Sequence, residues 1–134
     1  MNAQLLTLSR YRLEKARHEI QSGTILLEET LYNQAVGRAY YAIFHGMRAV
    51  LALDEFDSKK HSGVIAYFNQ HYIHTERFEK KYGRIIKDAE MLRNDSDYKD
   101  FFEADETVAR QQIEQAQEFV AAIERYLNKV YHQV

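Results

Sequence analysis

Between Leu92 and Phe102 the chain reads LRNDSDYKDFF, whose first half sets the guanidinium of Arg93 beside two short polar residues, Asn94 and Ser96, and two carboxylates, Asp95 and Asp97, with the phenol of Tyr98 following. A guanidinium binds a phosphate through two parallel N–H donors, and a neighbouring carboxylate or phenol can orient a partner or carry a proton. The plainer reading of the same residues is local. Arg93 pairs with Asp97 or another acid, and Asn94, Asp95 and Ser96 end a helix, as short polar side chains commonly do. Spacing alone does not choose between them.

A second polar set recurs at helical spacing: Gln34, Arg38, Tyr41, His45 and Arg48. Two guanidiniums beside a neutral imidazole suit a phosphate, and spacing alone suits a solvated stripe better, since every partly exposed helix needs one. Against that stands the context, because the other lines of the same segment are apolar. His71 and His74, with Glu76 or Glu79, have the types but not the arrangement of a metal site. Neither HExxH nor paired Glu-x-x-His is present, so no metal and no cofactor is expected. A glycine-rich phosphate loop and a GxSxG elbow are also missing, which argues against those hydrolase chemistries.

The elements that must hold these residues read as helices throughout. Apolar positions recur in steps of three and four, and two-residue alternation never persists. The chain has no proline, the residue that breaks helix interiors. A first helix is predicted over about residues 4–29, along the line Leu6, Leu13, Ile20 and Leu27, with Gly23 inside it at a propensity cost of roughly 1 kcal/mol. A second, about 33–53, would start at Asn33 as N-cap. It carries a line of small residues (Ala35, Ala39, Ala42, Gly46, Ala49) beside a line of bulky ones (Val36, Tyr40, Ile43, Met47, Val50), the pattern of a helix with neighbours on several sides. A shorter helix over about 60–73 places His61, Ile65, Phe68 and Tyr72 together. A fourth, about 76–94, would end in the Arg93 stretch. A last one opens near Asp105 and runs to about 131 along Ala109, Ile113, Ala116, Val120, Ile123, Leu127 and Val130. The expected fold is all-α: one domain spanning 1–134, an antiparallel up-and-down bundle of four long helices plus one shorter helix.

Composition narrows the function classes. Eighteen Lys and Arg stand against 20 Asp and Glu, a formal net charge of -2, so no bulk field draws the chain to nucleic acid or to an anionic membrane, and any such contact must be a local patch. The absence of cysteine removes disulfide scaffolds, thiol catalysis and cysteine-held zinc together. No run approaches the roughly 18 apolar residues of a membrane span, and the N-terminus lacks the apolar core of a signal peptide, so a soluble, cytoplasmic protein is expected. Ten Tyr and seven Phe exceed what a thin bundle core needs, which points some of them toward a subunit interface.

The run Ala35-Val36-Gly37-Arg38-Ala39-Tyr40-Tyr41-Ala42-Ile43-Phe44-His45, then Lys60-His61-Ser62-Gly63-Val64, then Leu92-Arg93 followed at Asp97-Tyr98, resembles the HEPN-domain proteins of bacteria and archaea, and within them the small stand-alone branch once filed as an uncharacterised protein family. The resemblance spans nearly the whole chain. It implies a helical bundle, usually a homodimer, often paired with a minimal nucleotidyltransferase as toxin and antitoxin. Many such proteins are metal-independent ribonucleases with the signature Arg, four to six residues, then His. There the arginine steadies the scissile phosphate and the histidine transfers protons. Arg93 matches the arginine. The histidine is absent, and Tyr98 stands five positions on, a phenol whose ordinary pKa near 10 makes it a poor base at neutral pH.

Three functions are therefore expected in order of preference. The first is a nucleotide- or RNA-binding or regulatory partner in a two-component system with a nucleotidyltransferase, with Arg38, Tyr41, His45 and His61 as binding candidates. The second is an active ribonuclease toxin in which Arg93, Asp97 and Tyr98 are the catalytic candidates and a displaced histidine, His45 or His61, supplies the imidazole. The third is a purely structural dimer.

Overall fold

The computed structural model describes residues 2–133, and among them every regular element is helical. The order is α1 (Ala3–Glu28), α2 (Tyr32–Leu53), α3 (His61–Phe68) continued by a π-helical turn (Asn69–Ile73), α4 (Lys81–Tyr98) and α5 (Glu106–Tyr131). The all-α expectation holds. No described helix is long and apolar enough to cross a membrane.

Side-chain contacts fix the directions of the helices. Along α1, Ser9 donates to the Ala49 carbonyl, Arg12 to that of Arg48, and Glu19 accepts from Arg38, so rising numbers on α1 meet falling numbers on α2. The same reversal joins α1 to α5, where Ser9 meets Tyr131 and Arg17 meets Glu124. It joins α2 to α4 as well, where Tyr41 meets Arg93 and the Asn33 carbonyl meets Ser96. The four long helices thus run up, down, up and down.

The small and bulky lines of α2 are both buried, which makes α2 the central helix. Tyr40, Ile43, Met47 and Val50 fill the core, each contributing roughly 1.5–3 kcal/mol by leaving water. Gly23 on α1 has a reason to be glycine. A Cβ there would lie 2.5 Å from Ile113 Cδ1 and 3.3 Å from Arg38 Cβ, so the residue lets α1 approach α2 and α5 closely. Of the aromatics, the core takes more than the sequence reading allowed. Tyr40, Phe68, Tyr72 and Phe119 are fully buried, and only Tyr11, Tyr98 and Phe101 are exposed.

Three boundaries differ from the sequence reading. Asn33 does not cap α2, which starts one residue earlier with no side-chain cap. Its amide is used instead to pin the α4–α5 connection, accepting from Ala104 N at 2.8 Å and donating to the Phe102 carbonyl at 3.2 Å. The segment 60–73 is not one α-helix, because the hydrogen-bond pattern widens to a π turn at Asn69. α4 begins at Lys81 rather than 76, after a turn in which Glu76 has a positive φ of 62°. It also runs on to Tyr98, through the residues expected to end it. Ion pairs Arg93–Asp97 and Asp95–Lys99 at helical i,i+4 spacing hold that last turn together. The opening of α5 is as expected, with Asp105 as N-cap accepting from Val108 N at 2.8 Å.

Candidate functional site

Continuing α4 to Tyr98 turns Arg93 toward α2. Its Nη2 donates to the Tyr41 hydroxyl at 2.9 Å, and its guanidinium carbon lies 5.5 Å from the Tyr41 ring centre and 5.3 Å from that of Tyr40. Nε is 3.0 Å from Asp97 Oδ2, an ion-pair distance, but off the line of its N–H, which is buried without an acceptor. Burial works against the charged guanidinium, while Tyr41, Asp97 and Tyr40 together hold its pKa above the ordinary value. The cation is therefore fixed in charge and in direction.

It opens on a cleft of about 480 Å³ between the ends of α2 and α4, lined by Asn33, Arg38, Tyr41, Arg93, Ser96 and Asp97 among others. Arg38 reaches the cleft from α2. Its guanidinium is held by Glu19 at 3.0 Å and lies 5.1 Å from the Tyr41 ring centre. Tyr41 thus stands between two guanidiniums, accepting from one and stacked near both. Two planar forks on either side of a phenol form a surface to which a phosphate or a nucleotide can be held.

Tyr40, one residue earlier, faces the other way, into the core. Its hydroxyl lies 3.0 Å from His61 Nδ1, and its ring also lies under the Arg93 guanidinium. Burial pushes the Tyr40 phenol up to about 12, so it keeps its proton. His61 stacks on Phe44 with ring centres 4.1 Å apart, and burial, with Arg93 and Arg48 nearby, lowers its pKa, leaving the imidazole neutral at pH 7. The Tyr40 hydroxyl and His61 Nδ1 share one hydrogen bond in which either can be the donor, and in the tautomer with the proton on Nδ1 the Nε2 atom is left as an acceptor for acid-base work.

The remaining candidates lie elsewhere. His45 does not join Arg93. It lines an adjoining cavity of about 580 Å³ between α1 and α2 with Tyr11, Lys15, His18, Glu19 and Arg38, the last of which also lines the Arg93 cleft. Burial and the cations Lys15, Arg48, Arg12 and Arg38 push its pKa down to about 4, and Nδ1 is buried without a partner. Tyr98, three-quarters exposed, lies on the solvent side of the last turn of α4 and lines none of these clefts. Arg93, Asp97, Arg38 and Tyr41 come together, His61 approaches Arg93 through Tyr40, His45 lies behind Tyr41 with ring centres 6.3 Å apart, and Tyr98 stands apart.

Residues 9–126 match the HEPN domain family model. The chain belongs to the HEPN-domain family. It is 37% identical over 118 residues to a protein of Methanocaldococcus jannaschii whose name proposes that it is a toxin, covering 88% of this chain and 87% of that one. A UPF0332 protein of Thermotoga maritima is 31% identical over 117 residues, with 87% and 89% covered. A second M. jannaschii protein with a name proposing a toxin is 29% identical over 115 residues, with 86% and 78% covered.

For this HEPN chain the sequence reading missed Tyr40 and Glu19. Tyr40 was assigned to the bulky core line, which is true of its ring, but its hydroxyl is the link between His61 and Arg93. A buried tyrosine needs a partner for that hydroxyl, so the neighbouring Lys60-His61 run held the missing signal. Glu19 lies on the flank of α1 and is brought to Arg38 by the antiparallel register, which no spacing within one helix reveals.

Proposed function

We propose that this HEPN protein binds a nucleotide or single-stranded RNA through a phosphate seated on Arg93, as the regulatory or toxin-like half of a two-component system with a minimal nucleotidyltransferase, and that it works as a homodimer. The observation that carries the reading is the Arg93 guanidinium, ordered by Tyr41, Tyr40 and Asp97 at the mouth of a cleft. Asp97 now occupies part of the charge an incoming phosphate would use. An ion pair with a carboxylate half open to solvent is worth about 0–1 kcal/mol, so Asp97 competes only weakly with a phosphate on the open side of the fork. The toxin-like part leans on the names of the M. jannaschii relatives. The homodimer accords with the exposed aromatics Tyr98 and Phe101, which line none of the clefts described above.

A second reading is favoured by one specific contact. His61 meets Tyr40 at 3.0 Å, and Tyr40 carries Arg93 over its ring, so an imidazole from another helix stands near the arginine where the sequence signature has none. In that reading the protein is a metal-independent ribonuclease with Arg93 on the phosphate and His61 as the proton-transfer group. Incubating purified protein with total RNA, with and without divalent metal, separates the two. The binding reading expects RNA to be retained uncut and released by Arg93→Ala. Cleavage that both Arg93→Ala and His61→Ala abolish, with His45→Ala unaffected, replaces it with the ribonuclease reading.

A further inference from the structure

His61 also lines a second cleft, of about 520 Å³, with Phe44, Arg48, Asp57, Ser58 and Lys59. Tyr41 lines the first cleft and Phe44 the second, their ring centres 6.5 Å apart on α2, and the two clefts differ in charge. In the first, each guanidinium has its own carboxylate, Arg38 with Glu19 and Arg93 with Asp97. In the second, Asp57 is the one acidic residue of the lining, and it is shared three ways. Arg48 holds it at 3.0 Å, Arg12 reaches it from behind at 3.5 Å, and the Ser58 backbone N–H donates to it at 2.8 Å. Lys59 is exposed and makes no ion pair among the described residues.

Surplus cations here are held in place. The Arg48 carbonyl accepts from Arg12, and its guanidinium carbon lies 5.9 Å from the Phe44 ring centre. The loop carrying Ser58 and Lys59 presses so closely on α3 that a Cβ at Gly63 would come within 2.9 Å of Ser58 Cβ. Arg48 also keeps a buried Nε without an acceptor, the same feature that marks Arg93. Both arginines lie near enough to His61 to bear on its protonation. Two guanidiniums therefore lie near one imidazole.

From this arrangement we infer that the cleft of Arg48, Lys59 and His61 is a second phosphate subsite, which takes a neighbouring phosphate of a single-stranded RNA whose first phosphate lies on Arg93. The inference rests on the Arg93 binding reading above and adds the length of ligand to it. A mononucleotide satisfies the first cleft alone. A strand reaches both, and it is the second cleft, with more cations than acids, that supplies attraction the balanced first cleft lacks.

Lys59 is the clean probe, being exposed and free of ion pairs, so neither Lys59→Gln nor Lys59→Glu burdens the fold. Binding of a fluorescent short oligouridylate and of adenosine monophosphate is measured over a range of salt for wild type, both Lys59 variants and Arg93→Gln. Lys59→Gln should weaken the oligonucleotide several-fold and make its log-log salt dependence shallower by about 0.7, the share of one phosphate contact on a single strand. Lys59→Glu should weaken it further, and neither should change the mononucleotide. If both Lys59 variants bind the oligonucleotide like wild type while Arg93→Gln does not, the second subsite is wrong and the Arg93 reading stands. Equal weakening of both ligands also overturns it, since Lys59 would then act at the first cleft. A wild-type protein that binds neither ligand overturns both readings at once.

Discussion

His45 and His61 show how position decides the chemistry of one residue type. Both sit in partly buried, cationic surroundings and both are driven toward the neutral form. His61 has a phenol on Nδ1 and shares that phenol with Arg93, which gives its imidazole a direction. His45 has no partner on Nδ1 and faces Lys15, Arg12, Arg38 and Arg48, so its main consequence is thermodynamic. Its pKa falls from 6.5 unfolded to about 4 folded. Below pH 6.5 the unfolded chain takes up a proton that the folded chain refuses, so the stability is complete above that pH and is lost as pH falls toward 4. We expect the melting temperature to drop between pH 7 and pH 4.5, and His45→Gln to flatten that drop. An unchanged slope in the variant would show that His45 is not protected from protons. Neither difference between the two histidines was legible in sequence, where they were equal candidates, because it depends on which helix crosses which.

At the scale of the helix, the legible part was the periodicity and the illegible part was the ends. The lines of α2 and the seam of α5 from Ala109 to Leu127 were read correctly because burial enforces them over several turns, while Val130 at the helix end is only half-buried. The extension of α4 through Asn94, Asp95 and Ser96 was not. Each residue is a weak helix former, and the i,i+4 pairs on either side outweigh them only once the helix is already there. That extension is what aims Arg93 at Tyr41. Gly23 and Thr30 make opposite exceptions to helix rules. At Gly23 alanine would gain about 1 kcal/mol of propensity, but its Cβ meets Ile113 and Arg38, so Gly23→Ala should lose stability on balance, by about 1 kcal/mol. At Thr30, which closes α1 with φ of 63° while Leu31 N bonds to the Leu26 carbonyl, a left-handed residue is required and Thr pays for it, so Thr30→Gly should gain about 0.5–1 kcal/mol. Urea unfolding of both variants checks the pair. A stabilising Gly23→Ala would mean that α1 can back away from α5.

For the molecule as a whole, the up-and-down fold was legible from the absence of proline, the helical period and short connections, and the site was legible only in pieces. Arg93, Asp97, Arg38 and Tyr41 lie on two helices whose antiparallel register brings them to one cleft. The sequence resemblance singled out Arg93, but it could not say which histidine would approach, since His61 comes in on a third helix by way of the buried Tyr40. Three exposed aromatics remain on the surface together with Leu8, Ile25, Leu31 and Met91, and they support self-association. Light scattering at micromolar concentration should return the mass of a dimer, and Phe101→Ser, at a fully exposed position, should shift it toward the 15.9 kDa monomer. A wild-type monomer under those conditions would remove the homodimer from the account.

The account turns on whether Arg93 holds a phosphate while Asp97 holds Arg93 in waiting, and two substitutions at that ion pair test it with opposite signs. Anisotropy titration of a fluorescent single-stranded RNA at low salt should show Arg93→Gln binding at least about tenfold more weakly than wild type, through loss of a charge-assisted contact of the order of 1.5–3 kcal/mol. In the same titration Asp97→Asn, which keeps the shape and removes the competing charge, should bind severalfold more tightly. Affinities for Arg93→Gln and Asp97→Asn that both equal that of the wild type would contradict the account.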